Sequence, residues 1–272
     1  MEKLSKTKLK FARELLREKK VRDENALFVA EGDKIVCDIL QKGHVPEFIL
    51  ISNTYLDTIE SRLLVLDHEE KNAPVFIAND AEFDKLSSLR SSQGIMAVFK
   101  QPMHRVKDLS HEKKAFLVLC DKVQDPANLG AIIRTSVAFE VDALLLAGET
   151  ADIYNPKVVR ASAGSMLEVP IYSCDVNMID RLKNSGYKLF AGQPRKKNSI
   201  SIDEIKEVPK KCIIAFGSEG KGISKEILER ADVNFYIPIS KKIESLNVNN
   251  AAAIALHSLR NVRDQGEPVM KG

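Results

Sequence analysis

Short apolar runs alternate with amphipathic stretches along the whole chain, which is the pattern of an α/β protein. The first hundred residues predict a helix over 6–19, a strand over 27–30, a helix over 33–41 and a strand over 47–51. A helix over 55–66, a strand over 74–78, a helix over 80–89 and a strand over 95–99 follow. Residues 100–111 are polar, contain Pro102 and lack periodicity, as a linker would. The alternation restarts with Phe116-Leu-Val-Leu-Cys120, a continuous apolar run of the kind found in strands covered on both faces.

After that strand the pattern predicts a helix over 130–139 and a strand over 143–147, a βαβ unit. Helices over 155–161 and 177–184, strands over 188–191 and 212–216, a helix over 225–229, a strand over 233–239 and a last helix over 245–260 complete it. The expected organisation is a small N-terminal α/β domain at 1–100, a linker at 101–113 and a parallel-sheet domain at 114–272. Ligands of such sheets sit beyond the C-terminal ends of the strands, which directs attention to 121–130, 217–222 and 238–247.

Composition narrows the class. A chain of 272 residues, 44% hydrophobic and 29% charged, is long enough for two buried cores. No apolar run approaches the roughly 18–20 residues of a membrane span, and the N-terminus lacks a secretory apolar segment. Cys37, Cys120, Cys174 and Cys212 are scattered without C-x-x-C spacing. Reduced, buried cysteines in a cytoplasmic protein are expected, with no membrane partner and no metal site. A net charge of +3 identifies no partner, but its distribution is uneven. Lys3, Lys6, Lys8, Lys10, Arg13, Arg17, Lys19, Lys20 and Arg22 crowd the N-terminus, and Arg195-Lys196-Lys197 form a second cluster. Such runs are either solvated helix faces or contacts to phosphate.

Three loops carry the candidate chemistry. In the first, Asn128 and Gly130 open the predicted helix and Arg134 follows one turn on. An Arg near a helix start opposes the macrodipole, so it needs either a task or a partner such as Asp121 or Asp125. The second, Gly217-Ser-Glu219-Gly-Lys-Gly222, is glycine-rich but fits neither G-x-G-x-x-G nor the P-loop pattern. In the third, Ser245 reads as the N-cap of the last helix. Asn247, Asn249 and Asn250 occupy its opening turn, serving either local capping or a ligand. Asn128, Arg134, Glu219, Ser245 and Asn247 form one polar set without a Cys or His nucleophile. His44, His68, His104 and His111 precede the second domain's strands and His257 lies inside a helix. Hydrolytic triads are disfavoured, leaving transfer by positioning and electrostatics.

Taken together, Asn128-Leu-Gly-Ala-Ile-Ile-Arg134, Phe216-Gly-Ser-Glu-Gly-Lys-Gly222, and Tyr236-Ile-Pro-Ile239 followed by Ser245-Leu-Asn-Val248 resemble the three motifs of SpoU-type RNA 2′-O-ribose methyltransferases of the SPOUT superfamily. Asn155-Pro-Lys-Val-Val-Arg-Ala-Ser-Ala-Gly164 is similar to the family's segment between motifs, and Leu27–Gly32 and Ser92–Val98 resemble its small N-terminal RNA-binding domain. The resemblance implies a C-terminal trefoil knot, a homodimer, S-adenosylmethionine as cofactor and RNA as substrate, ribosomal RNA first and transfer RNA second. It implies that Gly217, Gly222, Ile237, Ile239 and Leu246 hold the cofactor. It further implies that Arg134 is catalytic, with Asn128, Glu219, Ser245 and Asn247 shaping the site. The chain departs from the family pattern at Pro238-Ile-Ser-Lys-Lys-Ile-Glu244, which lacks the glycine usual there, and at Asn249, where Ser is common. An RNA-binding module without catalysis is the alternative that the missing glycine favours; a nucleotide-dependent α/β enzyme lacks its phosphate fingerprints.

Overall fold

The computed structural model describes residues 2–58, 73–89, 91–102 and 109–265. Much of the helix expected over 55–66, part of the linker, His68 and His104 lie outside them. The described residues fall into two compact units, one of residues 1–103 with 152–164, the other of 104–151 with 165–272.

The first unit is built on a five-stranded sheet in the order β1-β4-β3-β5-β2, with β1 Glu2–Lys3, β2 Leu27–Glu31, β3 Phe48–Ser52, β4 Val75–Ala78 and β5 Ile95–Lys100. β4 pairs in parallel with β1 and β3, whereas β5 runs antiparallel to both β3 and β2. The predicted helix over 6–19 is two helices, Lys6–Arg17 and Lys19–Asn25, because Glu18 is extended between them. This break turns Arg22 inward, away from the solvated face expected of it. Its guanidinium is buried, donating to the Leu15 carbonyl at 2.7 Å and to Asp152 at 2.6 Å. Lys10, Lys19 and Lys20 instead form i,i+4 pairs with Glu14, Asp23 and Glu24, and Lys8 lies over the Phe48 and Phe76 rings. Lys10, Lys19 and Lys20 fit the solvated-face reading, whereas Lys8 is half-buried against the two rings.

The second unit is a seven-stranded, wholly parallel sheet in the order β10-β12-β9-β11-β6-β7-β8. Its strands are β6 Ala115–Asp121, β7 Ala143–Ala147, β8 Ile171–Cys174, β9 Lys188–Gly192, β10 Ile200–Ser201, β11 Lys211–Gly217 and β12 Val233–Tyr236. The apolar runs of β6 and β11 sit at its centre, buried along almost their whole length. β8 and the two-residue β10 are absent from the sequence expectation, and β12 ends three residues earlier than predicted. The chain passes outward through β7 and β8, then returns on the other side of β6 to lay down β9 to β12. The switch point therefore falls between β6 and β11. Cys120, Cys174 and Cys212 are buried, and desolvation pushes each thiol up to about 12.

Asp232 ties the turn before β12 to β9, accepting the Leu189 N–H and the Lys183 ammonium, each at 2.8 Å. Desolvation acts to raise its carboxyl, but the Leu189 and Lys183 contacts outweigh it and hold it below 3.8. A carboxyl depressed on folding adds stability above its unfolded pKa and loses it as pH falls through the folded value. Asp232→Asn is therefore expected to lower stability by about 1 kcal/mol at pH 7. That difference should begin to narrow below about pH 4 and close only once pH has fallen through the depressed folded value, in urea titrations run across pH.

Candidate active site

The first motif begins earlier than its sequence suggests. The helix spans Pro126–Ala138, with Asp125 accepting the N–H groups of Ala127 at 2.8 Å and Asn128 at 3.0 Å. An acidic cap followed by proline at the first helical position is a strong start signal, so Asn128 and Gly130 lie inside the helix instead of opening it. Arg134 is then the ninth of its 13 residues, and the macrodipole argument for it does not hold. Neither acid offered as its partner is available. Asp125 is the cap, and the Asp121 carboxylate accepts the Ser224 N–H at 2.6 Å. Arg134 is exposed and, among the described residues, has no hydrogen-bond or ion-pair partner.

Asp121 is only 1% exposed and stands in register opposite Gly217, where β6 and β11 end together. From Gly217 the chain doubles back: Ser218 bridges Gly222, and the Gly222 N–H reaches the Ser218 carbonyl at 2.8 Å. A Cβ on Gly217 would stand 2.1 Å from the Gly222 carbonyl carbon and 2.2 Å from the Ile223 nitrogen. The glycine is required by the loop's approach to itself, and Gly222 by its φ of +66°. Glu219, at the loop's exposed tip, accepts a hydrogen bond from the Asn128 side-chain amide, which links the first two motifs.

The third motif also shifts. The last helix spans Val248–Gln265, and its cap is Asn247, not Ser245. The Asn247 carbonyl accepts Ala251 N–H and its side-chain oxygen accepts Asn249 N–H, both at 3.0 Å. Ser245 lies two residues before that cap, in irregular backbone. Residues 240–243 turn without a glycine: Ile243 N–H meets the Ser240 carbonyl at 3.3 Å and Lys242 N–H meets its hydroxyl at 3.3 Å. No residue from 239 to 244 has positive φ, so the missing glycine leaves no backbone strain.

These segments enclose a cleft of about 680 Å³ at the C-terminal ends of β9, β11 and β12. Gly217, Glu219 and Gly222 line one side, and Ile237, Ile239, Ser245 and Leu246 the other. Asn128, Arg134 and Asn247 do not line it. Asn128 reaches the rim through Glu219 and Asn247 holds the wall by capping it. Arg134, six residues beyond Asn128, faces about 240° around the helix from it. Sequence reading offered Asp121 only as a partner for Arg134 and missed its role in fixing the end of the glycine loop, for which the only signal was an acid ending a fully apolar strand. It also missed the Arg195–Lys196 loop as part of the site, because the adjacency of β9 to β12 that brings the loop to the cleft is not visible in sequence order.

The sheet, the doubled-back glycine loop and the capped third motif define the architecture of a SPOUT-type RNA methyltransferase. Comparison with known proteins agrees. The SpoU rRNA Methylase family model matches residues 115–257, and the MRM3-like substrate binding domain matches residues 6–97. The chain belongs to the SpoU rRNA methylase family. It is 31% identical over 246 residues to the 23S rRNA (guanosine(2553)-2′-O)-methyltransferase RlmP of Bacillus subtilis strain 168, covering 90% of this chain and 93% of that protein. The AdoMet-bound rRNA methyltransferase of Sinorhizobium meliloti superposes with a TM-score of 0.81 at 26% identity, over 96% of this chain and 97% of that one. A structure described as an RNA 2′-O ribose methyltransferase gives 0.80 at 26% identity, over 96% and 99%.

Gly217→Ala is expected to force the loop open at a cost of about 1–3 kcal/mol, since its nearest neighbours are backbone atoms. Gly220→Ala, whose Cβ meets nothing within 4 Å, should be close to neutral when both variants are compared with the parent chain by thermal melting.

Proposed function

We propose that this chain transfers a methyl group from S-adenosylmethionine to a ribose 2′-oxygen of RNA, with ribosomal RNA as the first substrate to test and transfer RNA as the second. The observation that carries the reading is the cleft's lining. The peptide groups of Ile239 and Leu246 have no hydrogen-bond partner among the described residues, and Ile239 is an apolar side chain left 36% exposed. Free backbone donors and acceptors beside apolar side chains suit an adenine and an amino-acid group held largely through main-chain atoms. The cofactor supplies an electrophilic methyl on its sulfonium. Gly217, Gly222, Ile237, Ile239 and Leu246 would bind it, while Glu219, fixed by Asn128, and Ser245 would orient the ribose from the rim.

Arg134 would act on the ribose hydroxyl. A guanidinium stays protonated and does not serve as a base. Placed beside the 2′-OH it would lower that group's pKa and stabilise the alkoxide as the proton passes to water. Because Arg134 stands on one helix face with the exposed Ala127 and Ala138 and the half-buried Ala131, outside the cleft of its own chain, the site would be completed in a homodimer. The neighbouring helix Val248–Gln265 adds an exposed apolar side chain, Ile254, at 40%. A surface of small residues, an isoleucine and one cation suits a second copy of this chain.

The same reading makes residues 1–100 the RNA-binding domain, 101–113 the linker and 114–272 the catalytic domain, threaded as a trefoil knot through 217–248. The return of the last helix to pack beside Pro126–Ala138 supports that threading. No helix among the described residues is long and apolar enough to cross a membrane, and a cytoplasmic site of action is proposed. Arg134→Ala is expected to retain cofactor affinity by calorimetry while turnover falls about 10²–10³-fold. Unchanged turnover would remove Arg134 from the mechanism.

A further inference from the structure

Four exposed cations from three separate segments line the cleft: Arg195 and Lys196 after β9, Lys221 in the glycine loop, and Lys241 in the turn that lacks the family's glycine. All four are exposed, and none forms an ion pair among the described residues, unlike Lys183 and Lys188, which pair with Asp232 on the same domain. Lys197 and Lys242 adjoin them in sequence. Two acids, Glu219 and Glu244, share the lining, and Glu219 is engaged by Asn128. Arg195 is held in place with its guanidinium 5.3 Å from the centre of the Tyr236 ring. The Lys196 loop is closed by Ser199, whose hydroxyl accepts the Lys196 N–H and donates to its carbonyl, both at 2.8 Å.

This charge does not suit the cofactor. S-adenosylmethionine carries a sulfonium and a net positive charge, so a ring of ammonium groups would disfavour it. The cations need a polyanion that enters after the cofactor and lies across the opening. Beside Lys241 and Lys242, Ile243 is 53% exposed, an apolar side chain at a turn tip among lysines. Cations spread over several segments with apolar surface between them match a single nucleic-acid strand, whose phosphates and bases alternate.

We propose that Arg195, Lys196, Lys221 and Lys241 form a clamp on the phosphates of the RNA strand flanking the target ribose, and that Ile243 contacts a neighbouring base. The proposal rests on the methyltransferase reading and adds to it a substrate-gripping role for the lysine turn. The lysines that replace the family's glycine are then a gain of substrate contact at a position where the backbone needs no glycine.

The test uses the full-length chain with a single-stranded RNA oligonucleotide of mixed sequence, measuring affinity by fluorescence anisotropy against salt. Lys196→Ala, Lys221→Ala and Lys241→Ala combined should flatten the slope of log K against log salt by about 2, at about 0.7 per lost phosphate contact. RNA affinity should fall at least tenfold at low salt while S-adenosylmethionine affinity by calorimetry changes less than twofold. The corresponding triple Lys→Arg variant should restore the slope, which a loss of folding in the alanine variant would not explain. Ile243→Ser should weaken binding with the slope unchanged. An unchanged slope in the alanine variant, with cofactor binding intact, would overturn the clamp and leave the methyltransferase reading standing. Failure of the wild-type chain to bind S-adenosylmethionine would instead overturn the reading on which the clamp rests.

Discussion

The site depends on how β6 and β11 end. Their last residues, Asp121 and Gly217, are register partners at the centre of the sheet. The buried Asp121 carboxylate takes the Ser224 N–H at 2.6 Å, fixing the far end of the loop that starts at Gly217. Between these two points the chain folds back so closely that no Cβ fits at Gly217. A buried carboxylate is costly unless it is hydrogen-bonded, and here its partner is the backbone immediately after the loop that lines the cleft. Glu219 at the loop tip then meets Asn128, so the first motif is positioned by the second.

Much of this fold was legible as apolar runs. The central strands are nearly continuous in Val, Leu, Ile and Cys, and their burial on both faces follows directly. Helix starts were less legible where several capping residues compete. Asp125-Pro126 outranked Asn128, and Asn247 outranked Ser245, because the cap is decided by which side chain can reach a free N–H. The burial of Arg22 was not legible at all. Its partner Asp152 lies 130 residues away, and nothing local distinguishes it from its solvated lysine neighbours. The motif residues were identifiable from their resemblance to a family, but their separation into cleft lining, cap and exposed cation required the three-dimensional arrangement.

That separation divides the chemistry by charge. The interior of the cleft is apolar side chain and free peptide, suited to a cationic cofactor that must be kept from water without a competing cation. The rim is basic and suited to a polyanion. Arg134 stands apart from both, exposed and without an ion-pair partner among the described residues, which is why a second copy of the chain is proposed to bring it to the reaction. The order proposed for the two ligands is cofactor first, against apolar side chains and free peptide groups, then RNA across the cations that share the lining.

The most direct test is to incubate the purified chain with ribosomal RNA and S-adenosylmethionine carrying a deuterated methyl group, digest the RNA to nucleosides and analyse them by mass spectrometry. The account predicts label in a 2′-O-methylated nucleoside, lodged on the ribose fragment after cleavage of the glycosidic bond. Label confined to the base fragment, or no label in ribosomal or transfer RNA from a chain that binds the cofactor, would contradict it.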